Sequence, residues 1–134
     1  EIYYQSVGLN WERAAMIKAR PIAGDLAAGH GFLDRIKAFV WRKHLDYVAL
    51  EDIHAMKGRI HSHHKHQGVR VAGQDVKLGP GGIREIEFFV SAHQLISGGR
   101  EPSLRVRQTL AGVEALRALG TIGDEDAREL TAAY

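Results

Sequence analysis

The stretch Val76 to Phe89, VKLGPGGIREIEFF, gathers the residues of this chain best suited to chemistry. Gly79-Pro80-Gly81-Gly82 arrests the chain. Arg84, Glu85 and Glu87 then fall in what the pattern predicts as the first turns of an apolar helix. Glycines at a helix N-terminus expose backbone N–H groups with the helix dipole behind them, and such a place binds anions. A phosphate would fit there, with Lys77 or Arg84 adding charge. The same residues also read as a tight turn whose glycines satisfy positive φ. Spacing alone leaves both readings open, and the stretch is neither a Walker A loop nor a GxGxxG fingerprint. Glu85 is an ordinary first-turn acid, favoured by the dipole. Glu87 sits among Ile86, Phe88 and Phe89, where a carboxylate is partly buried and needs a cationic side chain or a metal ion. Two positions apart on a helix, the acids diverge by about 200° and cannot clamp one ion together. On a strand they would share a face. The residues favour a structural ion pair for at least one of the two.

Two other stretches carry polar side chains in suggestive patterns. In WERAAMIKAR, Trp11 to Arg20, charges alternate with small and apolar residues, which reads as a solvated amphipathic helix with local ion pairs. In HSHHKH, His61 to His66, the three-residue spacing of His61 and His64 would let both face one ion on a helix. Hydrophobic periodicity has stopped there and no nearby carboxylate completes a ligand set, so a solvated loop is the reading favoured.

The elements that position these residues are mostly helical. A helix opens at Asn10 and is stopped by Pro21, because the residue before a proline is pushed out of the α region. ARPIAG, Ala19 to Gly24, is a short strand or a bend. Asp25 is an N-cap for a helix through Phe32, Leu33, Ile36, Phe39 and Val40. Apolar residues recur at three-to-four spacing from Leu45 to Ile60, predicting another helix with a buried stripe. VRVAGQDVKLG, residues 69–79, reads as a small hairpin about Gly73-Gln74. The glycine turn then leads into a helix over 83–97, with Ile83, Ile86, Val90 and His93 on one side and Gly98-Gly99 as its C-cap. Pro102 and Ser103 open a helix closed by Gly120, and Asp124 begins the last one. The chain is mainly α with one small β element.

Composition narrows the classes. With 134 residues the chain can bury a real core. Cysteine is absent, which excludes a disulfide framework and a thiolate metal site. The formal charge is only +2 and the basic residues form no block, so no nucleic-acid partner is expected. No apolar run approaches the roughly 18–20 residues of a membrane helix. No membrane contact is expected, and the cytoplasm is the default location.

Tyr3-Tyr4, NWERAAMIKARPIAGD (Asn10 to Asp25), FVWRKHLDY (Phe39 to Tyr47), EDIHAMKGRI (Glu51 to Ile60), KLGPGGIREIEF (Lys77 to Phe88) and GGREPSLRVRQTL (Gly98 to Leu110) occur in this order. Through them the chain resembles, over essentially its whole length, the family of bacterial bifunctional glutamine synthetase adenylyltransferase/adenylyl-removing enzymes. That family carries two similar nucleotidyltransferase halves: one adenylylates glutamine synthetase, and the other removes AMP by phosphorolysis, releasing ADP. KLGPGGIREIEF is similar to the motif of the amino-terminal, removing half. The transferring half usually has Lys-Ala-Asp-Glu before the two glycines. The resemblance therefore implies a deadenylylating fragment. The alternatives are a piece of the ATP-dependent transferring half, or a non-catalytic helical scaffold contacting glutamine synthetase or the PII signal protein.

The resemblance implies further expectations. Residues 1–24 would be the end of a nucleotidyltransferase α/β domain, and 25–134 a helical domain following it. Lys18, Arg20, Lys77, Gly81 and Gly82 would meet nucleotide or phosphate. Arg84, Glu85 and Glu87 would serve catalysis, the two acids by supporting metal ligands or anchoring a cation. The substrates would be ATP, ADP and phosphate with Mg²⁺, and the partners glutamine synthetase, PII and nucleotide. Such enzymes hold Mg²⁺ through an Asp-x-Asp pair on a strand and a further acid on a neighbouring strand. Only Asp124-Glu125-Asp126 spells that pair here, at a predicted helix start. The metal ligands are thus expected upstream of Glu1, and the 134 residues alone are expected to lack turnover.

Overall fold

A computed structural model describes residues 2–44, 51–53, 55, 58, 76–77 and 81–134. Among them the regular elements are all helical: α1 (Ile2–Ser6), α2 (Asn10–Met16), α3 (Leu26–Val40), α4 (Ile83–Ser97), a 3₁₀ turn (Pro102–Leu104), α5 (Thr109–Ala118) and α6 (Asp124–Ala133). The mainly α expectation is met. No strand occurs among the described residues, so the small β hairpin and the join to an α/β domain find no support. Of the predicted hairpin, only Val76 and Lys77 are described, and they form a turn. The rest of it, and the His61–His66 run, lie outside the described residues. Of the helix predicted between Leu45 and Ile60, Glu51, Asp52, Ile53, Ala55 and Gly58 are described and helical.

Local rules account for several boundaries. The Asp25 carboxylate accepts the Ala28 N–H at 2.9 Å and caps α3. ARPIAG contains no strand and ends in a bend at Ala23-Gly24. α2 stops at Met16, well before Pro21. Tyr3 and Glu12 latch α1 to α2. The phenol donates to the carboxylate at 3.2 Å, and Glu12 also takes the Leu9 N–H at 2.8 Å. Desolvation, and then this hydrogen bond, raise the Tyr3 pKa, which keeps the phenol a donor.

Two apolar clusters share α4. In the first, Ile17, Ile36, Phe39, Val40, Ile53 and Leu95 are buried, with Tyr4, Trp41, Phe88 and Ile96 packed around them. The second holds Val90, Leu104, Val113, Leu116 and Ala127. α1 and α2 lie on α3, α2 also meets α4, and α4, α5 and α6 follow in a packed series. Residues of the 1–24 segment thus share a core with those after it.

Two expectations are corrected. WERAAMIKAR is not a solvated helix, because Arg13 is fully buried. Its guanidinium donates to the carbonyls of Phe39 at 3.0 Å and Val40 at 3.2 Å, and to Asn10 Oδ1 at 2.9 Å. It thereby serves the carbonyls left without partners at the α3 C-terminus. The helix predicted from Ser103 does not form until Thr109. The buried Gln94 amide takes the carbonyls of Leu104 and Val106, each at 2.7 Å, which a continuous helix would need for itself. The expected cap is met: Gly98 closes α4, in a right-handed conformation with φ −63°. Glycine is required there by space: a Cβ at Gly98 would come within 2.7 Å of the Trp41 ring, and one at Gly99 would strike the Arg42 carbonyl.

Candidate functional site

Gly81 has φ 75°, a left-handed value that favours glycine. The turn it makes brings the start of α4 back against Val76 and Lys77. The Ile83 N–H donates to the Val76 carbonyl at 3.0 Å and the Arg84 N–H to the Lys77 carbonyl at 3.1 Å. The Glu85 N–H donates to the Gly82 carbonyl at 2.9 Å, and the Gly81 N–H to Glu85 Oε2 at 3.0 Å. The Gly81 amide and the first three amides of α4 therefore have acceptors within the chain.

The divergence of Glu85 and Glu87 follows from helical geometry. Glu85 and Gly81 line a cleft of about 1340 Å³ between α4 and α6. Its walls are apolar, with Ile86, Phe89, Ile122 and Leu130, and its rim carries Arg117, Asp124, Asp126 and Glu129. His93, also on the wall, lies with its ring 4.4 Å from that of Phe89 and bonds the Phe89 carbonyl at 2.9 Å. Glu87 belongs to a different group. Its Oε1 is 3.2 Å from Lys18 Nζ and 3.4 Å from the Tyr134 hydroxyl. Lys18 also donates to Thr109 Oγ1 at 3.0 Å.

Among the residues singled out from sequence, the fold thus unites Lys18 with Glu87, and Gly81 with Glu85. Lys77 stands exposed beside the Gly81 turn, with Arg84 exposed at the start of α4. Arg20 is exposed beyond α2. Thr109 and Tyr134 carry no functional signal in the sequence, where a threonine opening a helix reads as nothing more than a cap residue. Arg13 had a legible signal: it lies four positions before the buried Ile17 and shares its helix face.

Among the described residues, no three His, Asp or Glu side chains converge as a metal site. Asp124 pairs with Arg117 at 3.0 Å, and Asp126 takes the Gly123 N–H at 3.2 Å, as befits a helix start. These residues do not fit Mg²⁺. Nor is any helix among the described residues long and apolar enough to cross a membrane.

Residues 52–134 match the family model described as GlnD PII-uridylyltransferase. Residues 1–35 match the model described as Glutamate-ammonia ligase adenylyltransferase. The chain is 56% identical over 133 residues to the bifunctional glutamine synthetase adenylyltransferase/adenylyl-removing enzyme of Rhizobium meliloti, covering 99% of this chain and 14% of that protein. Proteins of the same name from Caulobacter vibrioides and Bartonella henselae are 54% and 52% identical over 132 residues each. Those matches cover 98% of this chain and 13% and 14% of the relatives. The chain spans about one seventh of the length of the curated relatives it matches.

Proposed function

The chain belongs to the family of bifunctional glutamine synthetase adenylyltransferase/adenylyl-removing enzymes, and from that premise we propose that it is part of the half that removes AMP from glutamine synthetase. The form KLGPGGIREIEF, with Leu78-Gly79-Pro80 ahead of Gly81 and Arg84-Glu85 behind it, supports this half over the transferring one. Residues 1–24 end a nucleotidyltransferase domain in this reading, and 25–134 form the helical region that follows it. The observation that carries it is that motif. The Lys18–Glu87 ion pair, at 3.2 Å, does not distinguish the halves. It ties the segment matched by the adenylyltransferase model to the one matched by the uridylyltransferase model.

In the proposed reaction, inorganic phosphate attacks the phosphorus of the AMP–tyrosine diester. The bond from phosphorus to the tyrosyl oxygen breaks, a new bond joins AMP to the incoming phosphate as ADP, and the tyrosyl oxygen takes up a proton. Two anions must meet, so cations that hold them in line and offset their charge lower the barrier. Lys18, anchored by Glu87, supplies one such cation. Lys77 and Arg84 supply others beside the turn shaped by Gly81 and Gly82, where Glu85 fixes the loop through the Gly81 N–H. Glutamine synthetase is the protein acted upon, nucleotide the small-molecule partner, and PII the regulatory contact.

The test uses a full-length protein carrying these residues, assayed for phosphate-dependent AMP release and for ATP-dependent labelling of glutamine synthetase. Arg84→Ala or Glu87→Ala is expected to lower AMP release at least tenfold and leave labelling intact. Loss of labelling instead assigns the chain to the transferring half. If both activities survive while folding or partner binding suffers, the helices are a scaffold.

A further inference from the structure

Lys18 bears a flexible four-carbon stem, and its side chain is 40% exposed. A lone exposed lysine–glutamate pair holds such a side chain weakly, because water and salt screen it. Here the ammonium has a second anchor of different character. Thr109, the first residue of α5, is 4% exposed, and its Oγ1 accepts from Lys18 Nζ at 3.0 Å. An ammonium has three N–H donors. Glu87 and Thr109 engage two of them, leaving one for an incoming acceptor. The anchors also differ in charge. Glu87 offsets the positive charge, whereas a hydroxyl orients the ammonium and leaves its charge available.

We infer that Thr109 is a positioning residue that holds the Lys18 ammonium in place for a phosphate oxygen. The inference rests on the reading of Lys18 as a phosphate-contacting cation. Thr109 adds to that reading a fixed point on α5, so the packing of α5 against α4 sets where the cation stands. The side chain touches no reacting atom and acts only through Lys18.

The experiment is steady-state deadenylylation by a full-length protein carrying this chain, with inorganic phosphate varied. Thr109→Val keeps the shape of the side chain and removes the acceptor. Its KM for phosphate is expected to rise roughly tenfold, the scale of one hydrogen bond to a charged group, with an unchanged melting temperature. Thr109→Ser is expected to restore KM to within about twofold of the parent. In a Lys18→Met background, Thr109→Val should change nothing further, since the group it positions is gone. If the valine variant does not fold, Thr109→Ala carries the same comparisons. An equal effect of the Thr109 variant with and without Lys18 overturns the inference, as does a normal phosphate KM in Thr109→Val. A Lys18→Met protein with unaltered KM and kcat sinks the reading of Lys18 as well, which separates the two failures.

Discussion

Arg13 and Gln94 show how single polar side chains set the course of this backbone. Each is almost wholly buried, and each donates to carbonyls that helical hydrogen bonding leaves over: Phe39 and Val40 for Arg13, Leu104 and Val106 for Gln94. A buried carbonyl that loses its donor costs about 1–3 kcal/mol, more than a typical hydrogen bond contributes when both partners can return to water. Arg13→Met keeps much of the volume but removes every donor. It should destabilise the chain by at least ~2 kcal/mol. A thermal or denaturant transition equal to that of the parent would show that the α3 carbonyls find other partners. The acids of the motif are the better-read residues. Their separation to opposite sides of α4 was legible from the 3.6-residue turn, and so was the need of Glu87 for a cationic partner. Which cation it took was not.

The crossing of α4 and α5 shows what helices need from their smallest residues. Gly112 is buried, and a Cβ there would strike the Val90 side chain. The two helices therefore approach more closely than an alanine would permit. Gly112→Ala should cost about 1–3 kcal/mol through overpacking. Val90→Ala in the same chain should recover part of that loss, although alone it opens a cavity. Simple addition of the two costs, measured by denaturant unfolding, would mean that the helices do not touch at this point. Helix starts marked by Asp25, Gly82 and Asp124 were readable, since a cap or a turn glycine acts within one turn of its own position. The gap at 105–108 was not, because it depends on Gln94 and on Arg105. The latter donates to the carbonyls of Gly98 at 2.7 Å and Gly99 at 3.2 Å.

For the molecule as a whole, α4 couples the two apolar clusters, and polar clasps close the far end. Arg117 on α5 holds Glu114 at 2.6 Å and Asp124 at the start of α6 at 3.0 Å. The hydrogen bond from Arg117 keeps the Glu114 carboxyl below its ordinary value of 4.5, and the acids in turn raise the arginine pKa. A carboxylate with a depressed folded-state pKa stabilises the fold above its ordinary pKa and loses that contribution as pH falls through the lower, folded-state value. Stability should thus decline on acidification below about 4.5. Glu114→Gln should flatten that part of the profile. The difference is expected to be small, because both groups are largely exposed. Parallel acid limbs for the parent and Glu114→Gln would remove this pair from the account.

The amino-acid sequence by itself determined the kinship, the mainly α character and the divergence of Glu85 from Glu87, because each rests on a local repeat or on a run of neighbouring residue types. The tertiary structure alone decided that Arg13 closes α3 and that Lys18 meets Glu87 and Thr109, residues 69 and 91 positions away. A helical period says which side of an element is apolar. It does not say which other element will cover that side, and the partners of a buried or half-buried charge are fixed only when the helices have packed.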